Sequence, residues 1–363
     1  MNRPQQQNHN EEDNRSISLL SRLMFQNESS PSLAEVPDFS EQDFSGLVAL
    51  ADKHHVTVRA LRVLEEIATA QSKARLHEWC GTALKNESRR IANAIEWLYA
   101  IVQALQNSAC PVTVIKSLDH WPDLGSDLDL YTSGAPEHVI RVMREKLHAE
   151  LEPRSWGDRL ANKWNFQVPG LPELVEVHVR YLGQTGEQKL MAQRVLRRSI
   201  SRTVNGRAFP VPAPEERILI STLQRMYRHF YFRLCDMADV AGLLAGGQID
   251  FNELRRGAEL GGIWPGVASF LHIVCEYVAR YGGNTSLPSE VSRAAYSPEL
   301  RVQFKDTFLR LPMGPAAGLF GSQLFNAGRH GDLRAISRLP LLPPLAVSAL
   351  LAFRLTGSDK GIW

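Results

Sequence analysis

The run Asp127-Leu128-Asp129-Leu130 has the residue types and spacing that most directly suggest chemistry in this sequence. In an extended strand successive side chains point to opposite faces, so Asp127 and Asp129 share one face while Leu128 and Leu130 enter a core. Two carboxylates that close repel each other without a cation, and hard oxygen ligands at this density suit magnesium held together with substrate phosphates. A third acid, Glu176, lies in Val175-Glu176-Val177-His178, where the flanking valines turn it out of a sheet. On an adjacent strand it would complete a site for two magnesium ions, one activating the attacking oxygen and one neutralising the leaving pyrophosphate. Glu173, three residues earlier, competes for that part.

Around these acids stand candidate phosphate contacts. Lys116-Ser117 is separated from Asp127 by nine residues, and Gly125-Ser126 immediately precedes it. Lys116 can neutralise a triphosphate, although a lysine at a strand end also simply extends to solvent. His178 shares the Glu176 face and either contacts phosphate, supports the acids or ends the strand. Arg225, His229, Arg233 and Asp236 recur at spacings of three and four beside Tyr227, Phe230, Tyr231 and Phe232. On one helix from Glu215 to Leu244 they form a polar stripe, which either faces water or stacks a base and holds phosphate through Arg225 and His229. Between Arg180 and Arg207, Lys189, Arg194, Arg197, Arg198 and Arg202 meet a single acid, Glu187. That bias either holds a polyanion such as RNA or is balanced by acids elsewhere. His54-His55 lacks a metal-ligand partner at suitable spacing and reads as helix surface, and the tryptophans read as core.

The Lys116-Ser117 turn followed at this spacing by Asp127-Leu128-Asp129-Leu130 resembles the signature of the polymerase-β-type nucleotidyltransferase superfamily. There a Gly-Ser turn precedes an Asp-x-Asp strand, and Lys116 stands where glycine is usual. The uncharacterised nucleotidyltransferase family five uses lysine at this place and is similar over roughly residues 45 to 250. Its early helical stretch resembles Leu50-Ala-Asp-Lys-His-His-Val56, its acid-x-His strand resembles Glu176-Val177-His178, and its Val-Pro turn before a late helix resembles Val211-Pro212. Two features depart from the family. Ser117 replaces a glycine, and Leu118 to Leu124 contains a proline, so a turn is expected where the superfamily has a helix.

These readings give a magnesium-dependent nucleotidyltransferase that moves a nucleoside monophosphate from a nucleoside triphosphate to an acceptor and releases pyrophosphate. Asp127, Asp129 and Glu176 are the catalytic and metal-binding candidates. Lys116, Ser117, Gly125, Ser126, His178, Arg225 and His229 are the nucleotide-binding candidates. The acceptor stays open among RNA, a protein side chain, a small molecule and a sugar phosphate. Two other readings stand beside it: a catalytically silent nucleotide-binding regulator, suggested by the altered Lys116-Ser117 turn, and a metal-dependent nuclease.

Elements must position these residues. Residues 1–35 are polar and expected to be a disordered tail with one short helix. Phe44, Leu47, Val48, Ala51, Val58, Leu61, Leu64 and Ile67 recur mostly at helical spacing, and Ala74 to Gln106 carries a long apolar stripe. Residues 36–108 are therefore a helical unit. Strands are expected at Pro111 to Ile115, Leu128 to Tyr131, Asn165 to Val168 and Leu174 to Arg180, with a helix from Pro136 to Glu150. These make residues 109–210 an α/β core. After the connector Pro210-Val-Pro-Ala-Pro214, residues 211–363 read almost wholly as helix. The fold class is α+β, a small mixed sheet flanked by N-terminal and C-terminal helical units.

A net charge of +2, from 41 basic and 39 acidic residues, gives no global argument for nucleic-acid binding. Cys80, Cys110, Cys235 and Cys275 form no CxxC pair and read as core residues in a reducing cytoplasm. The polar N-terminus is unlike a secretory signal. The apolar run from Leu339 to Phe353 contains three prolines, is too short to span a bilayer, and is expected to be a buried helix pair.

Overall fold

The computed structural model describes residues 3–26, 36–297 and 300–356. The chain opens with α1 (Arg3–Phe25), α2 (Glu41–Lys53), α3 (Thr57–Ala70) and α4 (Ala74–Asn107). Ser40 starts α2 through a reciprocal capping box with Asp43, both bonds 3.1 Å long. No side chain of its own caps α3. Asp123, far along the sequence, accepts the Val58 N–H at 2.5 Å and pairs with Arg59 at 2.7 Å. Arg59 also reaches Asp239 at 2.8 Å.

The centre follows as β1 (Val112–Val114), β2 (Asp127–Thr132), α5 (Pro136–Leu147), β3 (Glu150–Leu151), α6 (Trp156–Ala161), β4 (Lys163–Gln167) and β5 (Leu174–Val179). They form a mixed five-stranded sheet in the order β1-β2-β5-β4-β3, in which β2 and β5 are parallel and the other pairs antiparallel. Ile91, Ile95, Leu98 and Val102 of α4 and Val139 and Met143 of α5 bury the valines and leucines of one sheet face. The opposite face carries the acids. After α7 (Lys189–Arg197), the hairpin β6 (Ser199–Val204) and β7 (Arg207–Pro212) lies beside β1. Pro210 and Pro212 thus belong to a strand rather than a simple connector, which an edge position allows.

The remaining elements are α8 (Pro214–Gln224), β8 (Tyr231–Phe232), α9 (Leu234–Ala245), α10 (Phe251–Leu260), α11 (Trp264–Arg280), α12 (Ser289–Ala294), β9 (Gln303–Lys305), β10 (Phe308–Arg310), α13 (Met313–Arg329), α14 (Leu333–Arg338) and α15 (Leu342–Thr356). The fold is α+β with helical flanks, as the sequence implies. The C-terminal part is not wholly helical, because β8, β10 and β9 pair into a small antiparallel sheet.

Three expectations are corrected. The segment read as a disordered tail contains the 23-residue α1, whose Ile17, Leu20 and Leu23 are buried among α3, α9 and α11. Its apolar stripe is short, and α2 and α3 cover it together with helices from the far end of the chain. Helices α1 to α3 therefore share one core with α8 to α11 and with Leu76 and Cys80 at the start of α4, while the later part of α4, from Ile91 on, belongs to the core of the sheet. The run from Leu339 is helical, but beyond Leu339 itself, which is buried, much of it is exposed: Val347 is 56% exposed and Leu351 52%. No helix of the described residues is long and apolar enough to cross a membrane.

Leu20 is 0% exposed. Its change to Ala should cost about 2–5 kcal/mol, the price of a core cavity, in denaturant unfolding. An unchanged midpoint would mean that α1 does not pack as described.

Candidate active site

Parallel pairing of β2 with β5 sets Asp129 directly opposite Glu176. Strand alternation places Asp127, Asp129 and Tyr131 on the same face as Glu176 and His178, with Leu128, Leu130, Val175 and Val177 at 0% exposure behind them. On the next strand Lys163 and Asn165 share that face. The acids line a cleft of about 270 Å³ that also receives Lys116, Gly125, Ser126, Arg228, His229 and Arg233.

Lys116 reaches this cleft from an unusual backbone. Its φ of 61° and ψ of −58° lie where glycine is at ease, and the Ser117 N–H donates to the Ile115 carbonyl at 2.6 Å to close a three-residue turn. Such a conformation costs about 1–3 kcal/mol and persists only where its surroundings enforce it. The Lys116 ammonium contacts Asp129 Oδ1 and stands 3.6 Å from Glu176 Oε1. Ser117 is buried, and its hydroxyl accepts the Asp129 N–H at 2.7 Å, which holds β2 in register. The segment after it forms a single 3₁₀ turn over Ser117–His120, as its proline implies. Gly125 is required by a close approach, since a Cβ there would come within 2.9 Å of the His55 ring. Arg90 of α4 holds the Leu124 and Gly125 carbonyls at 2.9 and 3.3 Å and pairs with Glu173 at 2.5 Å. Glu173 is thereby removed from the competition with Glu176.

Glu176 is saturated with cationic and hydrogen-bonding partners. His178 Nε2 lies 2.7 Å from Oε1, and Lys163 Nζ lies 2.7 Å from Oε2 and 2.9 Å from Asp158. Burial alone would raise the Glu176 pKa, but Lys116, Lys163 and His178 hold it well below the carboxylate range. Lys163 would be lowered by burial and is instead held above its usual range by Glu176 and Asp158. Asp127 is the opposite case. Burial of its surroundings, followed by repulsion from Asp129 and Glu176, pushes it up to about 6, and among the described residues it makes no ion pair. Ser126 Oγ, at 3.5 Å, is beside it. Asp129, Glu176 and His178 also offer ligand atoms within 4.8 Å of one another, two hard carboxylates and one borderline imidazole.

The far wall corrects the expected helix from Glu215 to Leu244. A π-helical turn, Arg225–His229, ends α8, and Phe230 takes a left-handed φ of 55° before β8. Arg225 is 1% exposed and pairs with Asp236 at 2.8 Å, joining the turn to α9 rather than standing on a solvated stripe. His229 lines the cleft, where burial and the neighbouring Arg228 hold it well below its usual pKa and therefore neutral. Arg228 and Arg233 line the cleft without any ion pair to a carboxylate among the described residues. His54-His55 is not helix surface. His54 is fully buried, accepting the Leu234 N–H at 3.0 Å, and His55 lines the cleft 3.3 Å from Arg233. Lys163, Arg228, Arg233 and His55 were absent from the sequence-derived site. Lys163 was within reach, since beginning β4 two residues earlier puts it on the acid face.

The basic run after Arg180 is largely neutralised at its centre. Arg194 pairs with Glu216 and Glu253 at 2.6 and 2.7 Å, and Arg198 pairs with Glu215 at 2.7 Å. All four cysteines are free, three of them buried.

A family model described as uncharacterised nucleotidyltransferase matches residues 40–279. The chain belongs to this family. The match spans the sheet, the acid cleft and the far wall from Arg225 to Arg233. Comparison with the curated proteins gave no match. One solved structure, an antigenic nucleotidyltransferase-like protein from Paracoccidioides brasiliensis, is similar at 14% identity with a TM-score of 0.31. It covers 50% of this chain and 92% of its own, a likeness too slight to bear on the site.

The folded chain keeps the Asp127 proton to about pH 6, whereas the ordinary value is 3.8, so stability from this group is present at low pH and lost as pH rises between them. Asp127→Asn should therefore raise the melting temperature of metal-free protein at about pH 8, by a margin that shrinks towards about pH 4.5. A margin equal at every pH would refute the raised pKa.

Proposed function

We propose that this protein is a magnesium-dependent nucleotidyltransferase, moving a nucleoside monophosphate from a nucleoside triphosphate to an acceptor with release of pyrophosphate. One observation carries the reading: a cleft with Asp127, Asp129 and Glu176 on one wall and the unpaired guanidinium groups of Arg228 and Arg233 on the other. Acids alone suit a cation and arginines alone suit an anion. Their opposition suits a metal–triphosphate, which presents both charges.

Asp127 and Asp129 are the residues that would hold magnesium, because their oxygens are hard donors and Asp127 has no cation of its own. Bound there, magnesium would offset triphosphate charge and favour departure of pyrophosphate. Arg228 and Arg233 would grip phosphate oxygens, and the neutral His229 could add a hydrogen bond. Ser117 serves by fixing Asp129 through its backbone N–H. Glu176, held far below the usual carboxylate range, is a poor proton acceptor and acts by anchoring Lys116, Lys163 and His178. Asp127, pushed up to about 6 by burial and by repulsion from Asp129 and Glu176, is the acid that gains most from a bound cation. The acceptor class remains RNA, a protein side chain or a small molecule. Pairing of Arg194 and Arg198 with glutamates weakens the case for the basic run as an RNA surface.

Incubation with each labelled triphosphate, magnesium and a whole-cell extract should release pyrophosphate and label one class of molecule. Asp127→Asn or Asp129→Asn should slow turnover at least about a hundredfold, equivalent to ~3 kcal/mol of lost transition-state stabilisation. Arg228→Ala should weaken nucleotide binding roughly tenfold or more, as expected for one charge-assisted phosphate bond. Tight nucleotide binding without pyrophosphate release from any triphosphate would overturn the reading.

A further inference from the structure

Three carboxylates face the cleft, and two of them are already matched by ammonium groups. Lys163 holds Glu176 Oε2 at 2.7 Å, and Lys116 lies against Asp129 Oδ1 with Glu176 Oε1 3.6 Å away. The Lys116 ammonium thus sits against the donor set of Asp129, Glu176 and His178, whose ligand atoms lie within 4.8 Å of one another and 2.7 Å apart at their closest recorded pair. Lys163 is also shared with Asp158 at 2.9 Å, so the two ammonium groups leave the cluster negative, and Asp127 is the cleft carboxylate without an ion pair among the described residues.

We propose that the Lys116 ammonium is a built-in substitute for one of the two cations such an acid cluster would otherwise bind, so that the site takes a single divalent ion at Asp127 and Asp129 Oδ2. The inference rests on the magnesium-dependent reading and refines it.

The backbone supports this role. A lysine held at φ 61° in a turn closed by the 2.6 Å Ser117-to-Ile115 bond occupies a conformation that glycine adopts without strain. Glycine would therefore serve the turn better, and what lysine adds is the charge delivered to Asp129. Both Glu176 oxygens are already engaged, Oε1 by His178 with Lys116 3.6 Å away and Oε2 by Lys163, so an ion in this donor set would have to take the place of the Lys116 ammonium. Lys163 is itself tied to Asp158 at 2.9 Å, so this arrangement is braced from a second strand and its preceding helix. An ammonium is a fixed point charge that does not exchange with solution. The cluster accordingly keeps half of its cationic complement whatever the free magnesium concentration.

The test counts ions directly. Full-length protein is mixed with a non-hydrolysable triphosphate analogue and titrated with manganese, read by electron paramagnetic resonance. Wild type should bind one manganese per chain with the spectrum of an isolated ion. Lys116→Gly, which suits the turn, should bind two, and ions about 3.5–4 Å apart should show spin coupling. Lys116→Met is a second variant that removes the charge and keeps the backbone as it is, and it should also gain an ion. Two coupled ions in wild type, or one ion in both variants, would overturn this inference alone. No manganese bound by wild type would overturn it together with the magnesium-dependent reading beneath it.

Discussion

Repulsion among Asp127, Asp129 and Glu176 is the constraint on which this structure is organised. The parallel β2–β5 register forces Asp129 and Glu176 side by side, and no rotation of a side chain relieves it. Every charged group nearby answers that crowding. Lys116, Lys163 and His178 are distributed over Asp129 and Glu176, while Asp127 is left with a raised pKa. Two of the three acids are thus met by ammonium groups, and Asp127 makes no ion pair among the described residues.

Holding such a cluster requires a rigid support, and apolar burial provides it. The valines and leucines between the acids are fully buried against α4 and α5, so the register cannot slip by one residue without moving them into the cleft. The same helix α4 sends Arg90 to the loop before β2 and to Glu173 before β5. A single side chain thus ties down the entry to both catalytic strands. On the other side, Asp123 couples that loop to the start of α3 and Arg59 couples α3 to Asp239 of α9.

Much of this was legible in the sequence where it depended on local periodicity. Alternation put Asp127 with Asp129 and Glu176 with His178, each pair on one face of its strand, and the long stripe of α4 announced its role. What alternation could not reveal was pairing between distant segments. His55, Arg228 and Arg233 enter the site through turns whose direction depends on tertiary contacts, including a π-helical turn and a left-handed Phe230. Arg225 looked like part of a polar stripe because its partner Asp236 lies at helical spacing. The bond is real, but it spans a break in the helix. The length of α1 was under-read for a related reason, since its few apolar residues are buried by α2 and α3 together with helices more than two hundred residues away.

That remoteness bears on how the chain is built. The Ser21 hydroxyl meets the Tyr277 hydroxyl at 2.7 Å across a separation of 256 residues, and α1 to α3 have no core of their own apart from α8 to α11. The sheet, by contrast, finds most of its partners between α4 and β7. Closing the longer loop costs more entropy and is slower, and during synthesis the first helices leave the ribosome long before their counterparts exist. The strands that carry the acids are complete in sequence by Val179, whereas the cleft's far wall, from Arg225 to Arg233, follows later and stands on the helical core. The two walls of one cleft thus belong to two different cores.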